Sequence, residues 1–252
     1  MTVATEIRQS VLERPETALL QLRDVHYTYP DGTKALCGLD LTIAPGEKIA
    51  LLGPNGAGKS TMLLHLNGVL RAGSGAVYLG AEPINDANIR RVRARVGMVF
   101  QDPDDQLFSP TVFDDVAFGP VHMGLDEAEV VRRVTRALEQ VGMAGFERRM
   151  PHHMSLGQRK RVAIATVLSM SPELLALDEP SAGLDPRARR GLIDLLRALP
   201  LAMIVSTHDM PMVADVFPRS VVLAEGRIVY DGDSAELLND AALLEQYGLE
   251  RP

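Results

Sequence analysis

Cysteine is almost absent: one residue, Cys37, in a chain of 252. A single thiol excludes an intramolecular disulfide framework and a cysteine-rich zinc site, and it suits a reducing compartment. Cys37 itself reads as a small buried hydrophobe. Long apolar runs are missing too. No stretch approaches the ~20 apolar residues that a membrane-spanning helix requires, so any work at a membrane is expected from the water side and through a partner. Residues Met1–Thr17 carry Glu6, Arg8, Glu13, Arg14 and Glu16 around no apolar run. That is not a secretory signal; these residues read as an N-terminal arm (1–17) ahead of one domain (18–252). Positive charge is not in excess: the net charge is −7, which argues against a general nucleic-acid binder. Histidine and cysteine never recur at metal-site spacing. His152 and His153 are adjacent, are expected to face different ways, and read as polar loop residues. There is no internal repeat and no low-complexity segment.

What is present is a folded composition, 46% hydrophobic and 23% charged, organised around Gly53-Pro54-Asn55-Gly56-Ala57-Gly58-Lys59-Ser60. This fits G-x-x-x-x-G-K-[ST], the P-loop pattern. Lys48–Leu52 before it reads as a short buried strand, and Thr61–Gly68 after it as an apolar helix. Glycines let several N–H groups turn toward phosphate oxygens, and the helix start adds partial positive charge. Lys59 can reach the β- and γ-phosphates, and the Ser60 hydroxyl can ligate Mg²⁺. The pattern says nucleoside triphosphate; it does not say how the energy is used.

Leu20–Val25 and Ala35–Ile43 read as strands joined through the Asp31-Gly32 turn, an antiparallel opening before the P-loop. Tyr27 and Tyr29 share parity there: one can pack and one can offer its ring to a base. Gly73–Leu79 is a further strand. Ile89–Arg95, with Arg90, Arg91, Arg93 and Arg95, reads as a solvated helix face. Val96–Phe100 is a short strand that delivers Gln101. Asp102–His122 is rich in Pro, Asp and Phe and Asp126–Val141 has helical periodicity, so residues from roughly Gln101 to His153 read as a largely helical insert in an otherwise alternating chain, with no separate element bounded between Asp102 and His122. Helices are expected again at Gly157–Met170, Pro186–Leu199 and Met210–Phe217, and strands at Leu174–Asp178, Ala202–Ser206 and Ser220–Ala224. This alternation argues for a mostly parallel sheet. Arg227–Tyr230 closes a hairpin, and Ser234 is placed as the cap of a short helix.

Two further stretches carry chemistry. Leu174–Asp178 ends in the pair Asp178-Glu179. An acidic turn after a strand is common; beside a P-loop, the first carboxylate can hold Mg²⁺ and the second can polarise an attacking water. Met154-Ser155-Leu156-Gly157-Gln158 opens a helix, so Ser155 and its neighbouring amides form a second anion-binding helix end. One bound triphosphate needs only one such end. A dimer in which each ATP is held by the P-loop of one subunit and this turn of the other uses both.

Seven matches in order make the chain resemble the ATP-binding-cassette ATPases across Leu19–Gly232: Tyr29, the P-loop, Gln101, residues 154–158, Asp178-Glu179, Ser181–Asp185 and His208. The resemblance implies an α/β fold: a P-loop core with a mostly parallel sheet, an N-terminal antiparallel β subdomain and an α-helical signature subdomain at about 101–170. It implies that Tyr29 stacks on adenine. Gly53, Asn55, Gly56, Gly58, Lys59, Ser60 and Thr61 would hold phosphates and Mg²⁺. Gln101 would sense Mg²⁺ and water, Asp178 support Mg²⁺, and Glu179 act as base. His208 would contact the γ-phosphate across a dimer, and Asp185 would report across the same interface. Ser155, Gly157 and Gln158 keep the family's L-S-G-G-Q signature, whereas Met154 and Leu156 depart from it.

Phe100–Phe108 and Thr111–Pro120 look like the energy-coupling-factor importers, in which two ATPases drive a transmembrane coupling protein and a substrate-binding membrane component. The Gln158–Ala165 helix and the non-glycine Leu156 are most similar to the ATPases of cobalt importers, with nickel next. The resemblance thus implies a peripheral ATPase on the cytoplasmic face of the membrane, with ATP and Mg²⁺ as cofactors, a homodimer favoured, and no nucleic-acid partner. A vitamin importer's ATPase and a soluble ATPase of iron–sulfur cluster assembly are the alternatives.

Overall fold

The computed structural model describes residues 18–249; the arm expected at 1–17 lies outside them. Strands β1 (Leu20–Thr28) and β2 (Lys34–Ile43) pair antiparallel, with Leu20 opposite Ile43 and Leu22 opposite Leu41. β3 (Lys48–Leu52) leaves this pair and enters a second sheet, followed by helix α1 (Lys59–Leu66). β4 (Ser74–Leu79) returns to the other edge of β1 and, with the two-residue β5 (Glu82–Pro83), completes a four-stranded antiparallel sheet in the order β2-β1-β4-β5.

The second sheet takes β6 (Val96–Val99), β7 (Leu174–Asp178), β8 (Ala202–Ser206) and β9 (Arg219–Ala224) parallel to β3, and ends in β10 (Arg227–Asp233), antiparallel to β9. Its order is β10-β9-β3-β8-β7-β6. The inner strands are almost continuously apolar because both faces are covered. Ile49 and Leu51 point into a core shared with α1 and the antiparallel sheet, whereas Ala50 and Leu52 point into a second core under the helices. Arg219 braces the two sheets: it donates to Thr42 O and Glu47 at 2.9 Å, and grips Asp231 with two bonds of 2.6 Å.

Between β5 and β6 runs α2 (Ile89–Arg95). Two of its arginines are paired, Arg91 with Glu82 and Arg95 with Glu173, as a solvated charged face should be. Then come α3 (Val112–His122), α4 (Glu127–Gln140) and α5 (Leu156–Leu168). α4 follows its periodicity: Val130, Val134 and Leu138 are buried on one stripe, and Asp126 caps it by accepting from Glu129 N at 2.9 Å.

α3 falls in the stretch expected to be largely helical, although the sequence reading gives it no bounds. Thr111 caps it, accepting from Asp114 N at 3.2 Å. Pro120 lies inside it and cannot donate to Val116 O; that carbonyl instead accepts from Ser169 Oγ at 2.8 Å. A tertiary partner therefore offsets the local defect. α5 starts at Leu156 and stops at Leu168, one residue earlier and two earlier than expected, because Ser155 is its cap.

The chain closes with α6 (Pro186–Ala198), α7 (Met210–Val216), α8 (Ser234–Asn239) and α9 (Ala241–Gln246). Ser234 is not the cap of α8. Asp233 accepts from Ala235 N and Glu236 N, while Ser234 is buried with its hydroxyl 2.6 Å from Ser220 Oγ. His152 and His153 do not point apart: a 3₁₀ turn over Pro151–His153 brings their rings edge to face at 4.3 Å.

Candidate active site

In a parallel sheet, function gathers at the carboxyl ends of the strands, and β3, β7, β8 and β6 end together. β3 runs directly into the P-loop. Gly53 sits at φ 134, and a Cβ there would lie 2.0 Å from Leu223 O; at Gly58, φ 103, one would lie 2.5 Å from Ala35 O. These two glycines press the loop against β9 and β2, where no side chain fits. α1 then begins at Gly58 with no side-chain cap, so its first amides are open to a ligand.

Lys59 is buried, and its Nζ donates to Gly53 O at 2.7 Å and Pro54 O at 3.1 Å. Burial pulls its pKa down, against the charges of Glu179 and Asp178. β7 and β8 are neighbours, so Asp178 lies opposite Ser206, whose Oγ donates to Asp178 Oδ1 at 2.5 Å. Glu179 then leaves the strand at φ 42, a conformation rare for a non-glycine residue. Its N–H donates to Ser206 O at 3.0 Å, and its carbonyl accepts from Lys160 Nζ at 3.2 Å. Burial raises the Glu179 carboxyl above the usual carboxylate range, with His208 and Lys59 opposing. Its buried Oε1 makes no hydrogen bond, although His208 Nε2 is 3.3 Å away.

His208 Nε2 also lies 3.3 Å from Lys59 Nζ. β8 adjoins β3, and their ends bring His208 beside its own chain's P-loop. Tyr29, just past β1, directs its hydroxyl to Thr61 Oγ1 at 2.9 Å and lines the cleft. Tyr27 is the packing member of the pair, edge to face with Tyr29 at 5.0 Å and with His65 at 4.9 Å.

The cleft so formed measures about 310 Å³ and is walled by Tyr29, residues 55–61, Gln101, Asp178 and Glu179. Thr33, Lys34 and Ala35 line it as well, which the sequence reading misses; the only signal was a lysine just after the Asp31-Gly32 turn. Ser206 and Lys160 are also missed. A serine ending an apolar strand beside the acidic one was a usable signal for the first, whereas nothing in the sequence marks Lys160.

The donors suit Mg²⁺: a hydroxyl (Ser60), an amide (Gln101) and a carboxylate (Asp178) face one cleft, and hard oxygen donors few in number are what Mg²⁺ accepts beside substrate phosphates. Among the described residues no cluster of three or more His, Cys, Asp or Glu could hold a metal alone.

Ser155, Gly157 and Gln158 do not line this cleft. They form a closed cap on α5: Gln158 N–H donates to Ser155 Oγ at 3.3 Å, and Ser155 N–H to Gln158 Oε1 at 3.0 Å. Gly157 faces α6, where an added Cβ would lie 3.0 Å from Ala188 Cβ. Asp185 caps α6 through Arg187 N and Ala188 N.

Comparison with known proteins agrees with this geometry. The family model for ABC transporters matches residues 36–182. An energy-coupling factor transporter ATP-binding protein of Carboxydothermus hydrogenoformans is 49% identical over 236 residues, covering 92% of this chain and 87% of that protein. Among solved structures, CbiO1 of Clostridium perfringens, described as part of the ABC transporter complex CbiONQ, is 40% identical with a TM-score of 0.81, covering 92% of this chain and 94% of that one. A dimeric ATP-binding cassette in a post-hydrolysis state with ADP and phosphate is 26% identical with a TM-score of 0.77, covering 85% and 98%. With a P-loop, a strained carboxylate and a histidine meeting at one strand edge, the chain belongs to the ABC transporter family and is an ATPase of its energy-coupling-factor type.

Proposed function

We propose that this protein powers an importer for cobalt ions, with nickel the next choice, and that two copies close face to face around two ATP molecules. The observation that carries the dimer is the separation of the two phosphate-binding ends: the P-loop lines the cleft and the Ser155 turn does not. ATP that touches both ends favours the closed pair, and hydrolysis removes that preference. The dimeric relative bound to ADP and phosphate supports this arrangement. The likeness to CbiO1 supports the metal-ion reading, together with Leu156 and the Gln158–Ala165 helix.

In this reading Tyr29 stacks on adenine. Gly53, Asn55, Gly56, Gly58 and Thr61 shape the phosphate cradle with Lys59, while Ser60, Asp178 and Gln101 would hold Mg²⁺, which would supply neutralising charge to the bound triphosphate. Glu179 takes the proton of the attacking water, for which a raised carboxyl pKa is suited, and His208 steadies the γ-phosphate. Ser155, Gly157 and Gln158 face the nucleotide of the other copy.

Residues 101–170 form the helical part that meets the membrane partner. Phe108 and Phe118 stand edge to face at 5.0 Å and are 68% and 46% exposed, and the exposed Val121 and Val131 line one groove with Phe118. Exposed apolar patches of this kind mark interaction sites. Asp115, buried, holds the loop in place through Phe108 N and Ser109 N. A transmembrane coupling protein, joined by a substrate-binding membrane component, is the partner this face suits, and in this reading the ATPase works from the cytoplasmic side of the membrane.

The test is an affinity pull-down from detergent-solubilised native membranes with analysis of bound metal. Co-purification of a multispanning coupling protein with a cobalt-loaded membrane component is expected. Recovery of soluble partners alone would overturn the importer reading, and a metal-free vitamin-binding component would overturn the cobalt assignment.

A further inference from the structure

Lys160 is 6% exposed, in the first turns of α5, two residues after Gln158. A buried lysine requires a purpose for its charge. Its hydrogen bond goes to Glu179 O at 3.2 Å, the carbonyl of the residue held at φ 42. Burial lowers its pKa, opposed by Asp102 and then Glu179, so it stands between the segment after Gln101 and the catalytic turn. Its neighbour Arg159 pairs with Asp104 at 3.0 Å and donates to Met154 O at 2.9 Å. One turn further on, Ala163 O and Thr166 Oγ1 both accept from Gln106 Nε2 at 2.8 Å. α5 is therefore fastened to the 102–106 segment on one side and to Glu179 on the other.

We propose that Lys160 is a positioning residue that sets the backbone of Glu179 and thereby ties the catalytic carboxylate to the helix carrying the Ser155 turn. Three hydrogen bonds anchor the backbone of the Glu179 turn: its N–H donates to Ser206 O, and its carbonyl accepts from Ala182 N–H at 3.1 Å within the turn and from Lys160 Nζ at 3.2 Å across to α5. With all three in place, an unfavourable φ is held and the carboxyl is aimed into the cleft. Without Lys160, the carbonyl keeps only the local turn bond from Ala182, the turn loses its tie to α5, and the carboxyl gains room to drift. A shift of α5 on assembly would reach Glu179 through this one bond.

The proposal rests on Glu179 being the base, so Glu179→Gln is run alongside. Steady-state ATP hydrolysis and nucleotide binding are measured on the full purified chain, with melting temperatures. Lys160→Met is expected to lower kcat by about 10- to 100-fold, the scale of a misplacement near 1 Å, with KM for ATP little changed. Lys160→Arg, which keeps charge and donors, is expected to recover most of kcat. A Lys160→Met variant with wild-type kcat overturns the proposal, as does a folded Lys160→Arg variant as slow as Met. If the Met variant does not fold, the Arg variant decides: retained kcat supports the bond and lost kcat overturns it. Glu179→Gln hydrolysing normally would instead overturn the base assignment itself.

Discussion

The two helix-start turns proposed to bind phosphate use the same helix-end physics in opposite ways. α1 starts on Gly58 in a left-handed conformation with no side chain capping it. α5 starts on Ser155 with both bonds of a capping box formed. The first turn leaves its amides open and keeps a cation, Lys59, folded onto the loop carbonyls beside them. The second ties up the amides of Ser155 and Gln158 with each other's side chains. A turn that is open in the isolated chain is a site in its own right. A turn that caps itself gains a ligand only when one is presented, and the 3.3 Å bond from Gln158 N to Ser155 Oγ is the weaker half that would yield.

The largest effect should come from the open turn. Lys59→Ala removes the ammonium group facing the phosphates, and charged hydrogen bonds of that kind contribute about 1.5–3 kcal/mol each. ATP affinity of the isolated chain should fall at least about 100-fold in equilibrium titration with a labelled nucleotide. The cap on α5 does not involve Lys59, so the far-ultraviolet spectrum should be unchanged. Undiminished binding in this variant would remove the distinction between the two turns.

Ser155→Ala attacks the closed turn and should separate binding from assembly. The isolated chain should bind ATP as before. Loss of the cap should lower stability by about 1 kcal/mol, which for a chain of this size is a drop of roughly 2–4 °C in Tm. ATP-dependent self-association, followed by sedimentation, should weaken, and hydrolysis should fall about tenfold with the loss of one strong phosphate bond. A variant that lost primary ATP binding would place Ser155 at its own chain's nucleotide.

The same contrast explains what could be read from the sequence. The P-loop is local: strand, glycines, lysine and helix are contiguous, and Lys48–Leu52 and Leu174–Asp178 were legible to the residue because buried parallel strands are short apolar runs. The Asp178-Glu179 pair was legible for the same reason, since it ends such a run. What was illegible is held by distant partners. Helix α3 survives Pro120 because Ser169, 49 positions on, satisfies Val116 O. Ser234 looked like a cap but is buried against Ser220, while Asp233 does the capping. That His208 stands beside Lys59 of its own P-loop follows from strand order, β3 beside β8, which is a property of the sheet and not of any local pattern. Lys160 is one lysine in a basic run until the fold brings Glu179 O to it.

The smallest effect, and the finest test of the contrast, lies at Leu156. The family's usual signature has glycine here, as the P-loop does where backbone must approach phosphate. In this chain the leucine is half-buried and leans on the Ser181–Asp185 loop: a Cβ built on Gly183 would lie 3.1 Å from Leu156 Cδ2. The turn at Ser155 is thus a packed turn, braced through Leu156 and through Gly157 against Ala188. Leu156→Gly exchanges that brace for backbone freedom at the first position of α5, at a cost of about 0.5–1 kcal/mol. We expect Tm to fall by roughly 1–4 °C and ATP-dependent association to weaken by only about twofold to fivefold, the equivalent of that cost carried into assembly. Primary ATP binding should not change. A tighter ATP-bound pair would show the opposite, that the leucine holds phosphate away from a turn otherwise as open as the P-loop.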